Sequence, residues 1–163
     1  MTKPVIVADA GPLIALAKCG QLALLPQVFG HIHLPHAVLR EAAGDSALPG
    51  ALAVSSFVQE FAQVHPNRDD ELFRDARMVL DEGEAQALSL ARTLQCAVLL
   101  DDRRGRLVAT ELGISLFGVL GTLLQAKRIG IIDPVKPVLD ALLLHDYRLS
   151  AKLVAAVLHE AGE

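Results

Sequence analysis

Two short apolar runs that each end in an acidic residue constrain the fold of this chain more than any other sequence feature. Val5–Ala8 ends at Asp9, and Ala97–Leu100 ends at the pair Asp101 and Asp102. A continuous apolar run of this length, followed by a helix-forming stretch, is typical of a buried strand in a parallel sheet. We therefore expect two buried strands, each with a carboxylate at its end.

Helical and strand patterns alternate through the rest of the chain. Strands are expected at Val5–Ala8, His31–Leu34, Ala97–Leu100 and Ile114–Phe117. Helices are expected near residues 13–17, 22–29, 35–42, 81–94, 103–112, 120–127, 138–144 and 151–160. The pattern weakens from Gly44 to Pro66, where either a helix or a strand fits Phe57–Val64. The alternation predicts an α/β fold whose parallel sheet carries helices on both faces.

Length and composition bound the architecture and the classes of function. The 163 residues fit a single domain over 1–163, with a core over 1–130 and a C-terminal helical extension over 131–163. A hydrophobic content of 52% supports a buried core and excludes a disordered chain. The net charge of −4 argues against a generally basic nucleic-acid-binding surface, and the aromatic content of 4% leaves little material for a base-stacking platform.

Cysteine usage and the lengths of the apolar runs predict the cellular compartment. Cys19 and Cys96 lie among apolar and helix-forming neighbours, without the spacing of a zinc site or a disulfide framework, and are expected to be reduced thiols. No apolar stretch approaches the roughly 18 residues that a membrane helix needs. We therefore expect a cytoplasmic protein with no membrane span.

The acids at the strand ends are the strongest functional signal. Ligands of an open parallel sheet bind outside the carboxyl ends of the strands, where Asp9, Asp101 and Asp102 are expected. Carboxylates that converge repel each other and need a cation to stay ionised at neutral pH. Oxygen ligands favour Mg²⁺ or Mn²⁺. The structural alternative for Asp9 is capping of the next helix.

The other acids also have structural interpretations. Asp81 and Glu84 have the spacing of a capping box, in which Glu84 bonds only the helix start. Asp102 fits a helix N-cap, and Asp101 fits a solvated turn. Glu41, beside apolar neighbours on its helix, fits a solvent-facing position. The spacing of these residues alone does not decide between the two interpretations.

Five motifs in the chain, taken in order, resemble the PIN-domain superfamily. They are V-I-V-A-D-A-G-P-L-I-A-L-A-K, L-P-H-A-V-L-R-E, D-E-G-E-A-Q-A-L-S-L-A, V-L-L-D-D-R-R-G-R-L-V-A and G-V-L-G-T-L-L-Q-A-K-R-I-G. The similarity extends from Val5 to the C-terminus. It is greatest to the uncharacterised prokaryotic PIN proteins related to the VapC toxin ribonucleases.

The resemblance implies a three-layer α/β/α fold with a short central parallel sheet, and a Mg²⁺- or Mn²⁺-dependent endoribonuclease. The matching motifs place its acidic site at Asp9, Glu41, Glu84 and Asp102, with Asp101 as a close second for the last position. Asp9 and Asp102 would be the main metal ligands, and Glu41 and Glu84 would bind a second ion directly or through water. An RNA substrate, a homodimer and a cognate antitoxin are the partners that the resemblance implies.

The sequence departs from many relatives at Gly11, where they carry Ser or Asn two residues after the first acid. The densest basic cluster, Arg103, Arg104 and Arg106, directly follows Asp102. Because arginine binds phosphate in a bidentate way, this cluster is a candidate for holding substrate phosphates. A solvated helix face is the equally weighted alternative.

His31 and His33 share one face of a predicted strand, and His36 follows closely, which raises a zinc hypothesis. An exposed pair on an edge strand is the favoured alternative, because no cysteine or fourth histidine follows at ligand spacing. Two other functions compete with the nuclease. One is a non-catalytic PIN-like scaffold that binds RNA or a protein, and the other is a metal-dependent phosphatase acting on a small phosphoester.

Overall fold

Strands and helices alternate in the computed structural model, which describes residues 2–163. The strands are β1 Val5–Ala8, β2 His31–Pro35, β3 Ala62–His65, β4 Ala97–Leu99 and β5 Leu116–Phe117. The helices are α1 Ala10–Lys18, α2 Leu24–Val28, α3 His36–Ala43, α4 Ala51–Phe61, α5 Glu71–Arg77, α6 Glu82–Leu94, α7 Arg103–Glu111, α8 Val119–Arg128, α9 Lys136–Leu144 and α10 Ala151–Ala161.

The five strands form one parallel sheet in the order β3-β2-β1-β4-β5. The central strand β1 pairs with β2 on one side, where Val7 lies opposite His33, and with β4 on the other, where Val7 lies opposite Val98. The chain therefore builds outward from β1 in one direction and then returns to build in the other. This reversal between β1 and β4 is where open α/β sheets form their ligand crevice.

Side chains of β1 alternate between two hydrophobic cores. Ile6 and Ala8 belong to the larger core, which also takes in α1, α2, α8 and α9. Val7 belongs to the smaller core on the other face, together with Leu88 of α6 and Ala109 of α7. The sheet is thus covered on both faces, which confirms the predicted three-layer α/β/α fold.

The region where the sequence pattern weakens contains both a helix and a strand. Helix α4 ends at Phe61, and β3 begins at the next residue as an edge strand without a fully buried side chain. Helix α5 was not predicted. Only Ala76 of α5 is buried, so the helix has no apolar stripe, although the Asp70 side chain caps it by accepting a hydrogen bond from the Phe73 N–H at 2.9 Å.

The two C-terminal helices pack onto the larger core through Val138, Leu139, Leu142 and Val157. The carboxylate of Glu163 fastens the end of α10 by accepting hydrogen bonds from the backbone N–H groups of Val135 and Lys136 at 2.8 and 3.0 Å. Within residues 2–163, no helix is both long enough and apolar enough to cross a bilayer.

Candidate active site

Asp9 lies at the end of β1, at the centre of the carboxyl edge of the sheet. Its backbone N–H donates to the Leu99 carbonyl oxygen at 3.0 Å, which ties it to the neighbouring strand β4. The residue is only 6% exposed, and its Oδ1 is buried without a hydrogen-bond partner among residues 2–163. Although Asp9 occupies the N-cap position of α1, its side chain accepts no capping hydrogen bond. The capping alternative for Asp9 is therefore not observed.

Glu41 and Asp81 approach Asp9 across the first turn of α6. A Cβ atom built on Gly83 would lie 2.8 Å from Glu41 Oε2 and 3.7 Å from both Asp81 Oδ1 and Asp9 Oδ1. Three carboxylates from three parts of the chain thus converge on one glycine. Any side chain at position 83 would intrude on the space that these oxygen atoms share.

Glu84 and Asp102 complete this group while also capping helices. The Asp81 carboxylate accepts from the Glu84 N–H at 2.8 Å, and Glu84 Oε2 accepts from the Asp81 N–H at 3.2 Å, so the predicted capping box forms. Asp102 caps α7 by accepting from the Gly105 N–H at 2.9 Å. These structural roles do not exclude metal binding, because the capping interaction of Glu84 uses one of its two oxygen atoms.

We call the group formed by five carboxylates the acid cleft; its members are Asp9, Glu41, Asp81, Glu84 and Asp102. The charges of these carboxylates affect one another's pKa values. Burial raises the pKa of Asp9 to about 8, and the charges of Glu41, Glu84 and Asp81 add to this rise while the Ala10 amide opposes it. Burial raises the pKa of Glu84 to about 7, with contributions from Asp81, Asp102 and Glu41. The pKa of Glu41 is also raised, by burial and by Asp81.

The donor set of the acid cleft fits a hard divalent cation. All five side chains offer oxygen atoms, and the unpartnered Oδ1 of Asp9 has no protein group among residues 2–163 to neutralise it. No three His, Cys, Asp or Glu side chains of residues 2–163 are already close enough together to hold an ion. Carboxylates that repel each other remain apart without a cation, and Mg²⁺ retains several water ligands in any case.

The structure does not bring Asp101 into the acid cleft. Its Oδ1 accepts from the Val119 N–H at 3.1 Å, at the start of α8, and its Oδ2 is buried without a partner in residues 2–163. Burial raises the pKa of Asp101, against the opposing effects of the Tyr147 hydroxyl, the Val119 amide and Arg106. Of the two candidates for the last acidic position, Asp102 therefore lies with the other acids and Asp101 does not.

The arginine cluster divides in the same way. Arg103 and Arg104 line a cavity of about 610 Å³ with Asp81, Glu84 and Asp102. Arg106, in contrast, donates from Nη1 to the Leu100 carbonyl oxygen at 2.9 Å and lines a second cavity together with Asp101. Two of the three predicted phosphate-binding arginines thus border the acid cleft.

Two histidines form a pair, and the sequence pattern indicated only one of them, His33. His33 Nδ1 lies 2.9 Å from Nε2 of His65, a residue of β3, whereas His36 begins α3. Burial lowers the pKa of His33, and His65 and His31 lower it further. Since no group of three His, Cys, Asp or Glu within residues 2–163 is arranged to hold a metal ion, the zinc hypothesis gains no support.

Sequence reasoning missed Asp81 as a member of the acid cleft, because its capping-box spacing accounted for it fully. It also missed Tyr147, which lies beside Asp101 but follows it by many residues in the chain. No motif in the sequence marked either position.

Comparison with known protein families assigns the chain to a family. A family model for a PIN domain, DUF3368, matches residues 5–163. No curated protein matches the chain significantly. PIN domains are generally nucleases and typically use divalent metal ions, which agrees with acids gathered at the carboxyl edge of a parallel sheet. The chain therefore belongs to the PIN-domain family.

Proposed function

We propose that this PIN domain is a Mg²⁺- or Mn²⁺-dependent endoribonuclease that hydrolyses RNA phosphodiester bonds, from the branch related to the VapC toxins. The observation that carries the proposal is the buried, unpartnered Oδ1 of Asp9 surrounded by further carboxylates. A buried carboxylate without a partner is costly, so its presence at a ligand crevice favours a cation-binding role over a structural one.

In this proposal the acids divide the work of holding the cations. Asp9, directly after β1, and Asp102, at the N-cap of α7, are the main ligands, and Glu41 and Glu84 bind a second ion directly or through water. The chemistry that such an ion would supply, when bound, is activation of a water and neutralisation of charge on the phosphate oxygens. The bond of the Asp9 N–H to the Leu99 carbonyl oxygen positions Asp9 at the centre of the sheet, and capping of α7 positions Asp102.

Arg103 and Arg104 act on the substrate in this mechanism. Both line the cavity that borders Asp102 and Glu84, which supports a role for them in holding the scissile phosphate beside the acids. Arginine binds phosphate through paired N–H donors and orients it while it adds positive charge. This charge also offsets the repulsion between the acid cleft and a polyanionic substrate.

Metal binding is the first test, because it needs no knowledge of the RNA target. Mn²⁺ titrated into the wild-type protein should raise its melting temperature, since a ligand bound only by the folded state stabilises it by RT ln(1 + [L]/Kd). Asp9→Asn should remove this rise. Asp75→Asn, which changes an exposed carboxylate on α5, is the matched control and should retain it.

Cleavage of a mixed-sequence RNA pool in Mn²⁺ then tests the chemistry. Wild type and Asp75→Asn should cut the pool, and Asp9→Asn should not. Mn²⁺ binding without any cleavage would favour the non-catalytic scaffold, and hydrolysis of a phosphomonoester without RNA cleavage would favour the phosphatase. Homodimerisation and control by a cognate antitoxin stay predictions of the family resemblance, and a cytoplasmic location stays a prediction of the cysteine usage and the lengths of the apolar runs.

A further inference from the structure

A second cavity opens beside the acid cleft at the same edge of the sheet. It has a volume of about 610 Å³ and lies between the end of β5, the start of α8 and the C-terminal helix α10. We call it the Tyr147 pocket; its polar lining includes Asp101, Arg106, Arg128, Tyr147 and Arg148, and Gly118 forms part of its wall. Its size lies within the range of small-ligand sites, which extends from about 300 to 1,000 Å³.

The charge of the Tyr147 pocket is opposite to that of the acid cleft. Asp101 is the one acid among its described lining residues, against the three arginines Arg106, Arg128 and Arg148. Within residues 2–163, neither Arg128 nor Arg148 forms an ion pair, and both are exposed. Their positive charge is therefore available to an anion from solution.

Tyr147 adds an aromatic surface to this cationic wall. It is the single tyrosine of a chain that has no tryptophan, and it is half-buried with its hydroxyl close to the buried Asp101. The Tyr147 hydroxyl and the charge of Arg106 both lower the pKa of Asp101. An aromatic ring and free arginines that line one cavity are the combination that binds a base and its phosphate in single-stranded nucleic acid.

Gly118 keeps this pocket open. A Cβ atom at position 118 would lie 2.8 Å from Asp101 Oδ1 and 2.8 Å from Arg106 Nη1. A side chain there would push against both charged groups at once. Gly118 thus leaves room for the charged groups of the Tyr147 pocket, as Gly83 leaves room for the carboxylates of the acid cleft.

The two sites are close enough to act on one strand of RNA. Asp101 lines the Tyr147 pocket and Asp102 lines the cavity of the acid cleft, and consecutive Cα atoms are about 3.8 Å apart. Arg106 of the Tyr147 pocket is likewise on the same helix, α7, as Arg103 of the acid cleft. We therefore expect an RNA strand whose scissile phosphate lies at the acids to reach the Tyr147 pocket with a neighbouring nucleotide.

We propose that the Tyr147 pocket is a subsite for a nucleotide that flanks the cleaved bond of a single-stranded RNA, with its base stacked on Tyr147 and its phosphate bound by Arg128 and Arg148. This subsite rests on the proposed ribonuclease function. It gives an acidic protein a local cationic surface where the negative acid cleft would otherwise repel the substrate.

Binding of a short, fluorescein-labelled single-stranded RNA of mixed sequence tests the subsite. Anisotropy is measured in EDTA at low ionic strength, so that no metal-dependent cleavage occurs. Arg128→Gln and Arg148→Gln should each weaken binding about tenfold, and each should reduce the magnitude of the slope of log K against log salt by about 0.7. Arg74→Gln, which removes an exposed arginine on α5, is the matched control and should bind as wild type.

Tyr147→Leu tests the stacking. It should weaken RNA binding about tenfold, whereas Tyr147→Phe, which retains the ring, should bind within about twofold of wild type. Retention of the Mn²⁺-induced rise in melting temperature shows that Tyr147→Leu is folded around an intact acid cleft. Wild-type affinity and salt slope in both arginine variants, or wild-type affinity in Tyr147→Leu, would overturn the subsite.

The same measurements separate this inference from the function on which it rests. RNA cleavage by the wild-type protein together with unchanged RNA binding in all pocket variants would leave the ribonuclease standing and remove the subsite. Weakened RNA binding in the variants, without any Mn²⁺ binding by wild type, would leave an RNA-binding pocket and remove the metal-dependent nuclease.

Discussion

Asp101 and Asp102 are neighbours in the chain and follow the same strand, but they belong to two different sites. Asp102 is exposed, caps α7 and lines the acid cleft, whereas Asp101 is largely buried, bonds the start of α8 and lines the Tyr147 pocket. Position at the edge of the sheet alone therefore does not decide which of the two sites a carboxylate joins.

The surroundings of the two acids differ as much as their directions. Asp102 faces other carboxylates, and Glu84 feels its charge. Asp101 faces Arg106 and the Tyr147 hydroxyl. The first environment gathers negative charge, and the second pairs a carboxylate with the positive charge of Arg106. In our two proposals, the same residue type therefore serves cation binding in one place and lines an anion-binding wall in the other.

The largest expected effect comes from exchanging each acid for its amide. At a Mn²⁺ concentration about 100 times Kd, wild type should gain about 2.7 kcal/mol of unfolding free energy. Asp102→Asn should lose most of this gain, because it removes one of the two proposed main ligands, and Asp101→Asn should keep it. Thermal unfolding with and without Mn²⁺ measures both. Loss of the Mn²⁺-induced stabilisation in Asp101→Asn would show that the two acids do not belong to separate sites.

The two wall glycines offer a matched pair of substitutions with smaller effects. Gly83→Ala places a methyl group 2.8 Å from Glu41 Oε2, which is the end of a flexible side chain, so we expect Mn²⁺ affinity to fall about tenfold. Gly118→Ala should instead weaken binding of the single-stranded RNA and leave Mn²⁺ affinity unchanged. Isothermal titration with Mn²⁺ and RNA anisotropy check the pair. Equal losses of both ligands in both variants would show that the two sites are one.

A substitution at Glu163 tests the Tyr147 pocket without changing a residue that lines it. The carboxylate holds α10, whose Leu153 and Val157 line the pocket, and its interactions with Lys127 and with two backbone amides lower its pKa to about 2. Because the folded pKa lies below the ordinary value of 4.5, its stabilising effect is complete above pH 4.5 and is lost as the pH falls toward 2.

Glu163→Gln should therefore lower the melting temperature at neutral pH, and the difference from wild type should shrink on acidification over this range. It should also weaken RNA binding moderately while the Mn²⁺-induced shift is kept. Melting curves at a series of pH values provide the test. A constant difference between the two proteins from neutral pH to about pH 2 would contradict the assignment of Glu163.

The smallest effect is expected at Gly11. Apart from its chain neighbours and the nearby backbone of its own helix, no described atom lies within 4 Å of a Cβ built at this exposed position in the first turn of α1. Gly11→Ser should raise the unfolding free energy by at most about 0.5 kcal/mol, because serine is the better helix former, and Mn²⁺ affinity should stay within about twofold. A tenfold rise in Mn²⁺ affinity would instead mean that a hydroxyl at this position completes the acid cleft.

The sequence pattern predicted the central part of this fold better than its edges. The apolar runs of β1 and β4 are buried on both faces, so burial alone marks them and the acids that follow. Strand β3 has no fully buried side chain and α5 has one, so neither carries the periodicity from which elements are inferred. A buried element shows a clear pattern of apolar residues in the sequence, whereas a lightly packed element shows little of this pattern.

The candidate site was predictable to the same degree and for a related reason. Motifs placed Asp9 and Glu84 at the correct ends of their elements. The direction of Asp101 depends on its bond to the Val119 amide, which belongs to a distant helix. The approach of Tyr147 depends in the same way on the return of the C-terminal helices. Contacts of this kind arise only in the folded chain, so the local spacing of residues in the sequence does not predict them.

The central position of β1 also determines when the site can exist during synthesis. Asp9 is made early, but β1 must pair with β4, where Val7 lies opposite Val98, before the acid cleft closes. At about 5 to 20 residues per second, a ribosome needs on the order of ten seconds to move from Asp9 to Asp102. Throughout that interval Asp102 has not yet joined the chain, so the acid cleft is incomplete. The acid cleft can therefore assemble only after the second half of the sheet has emerged from the ribosome.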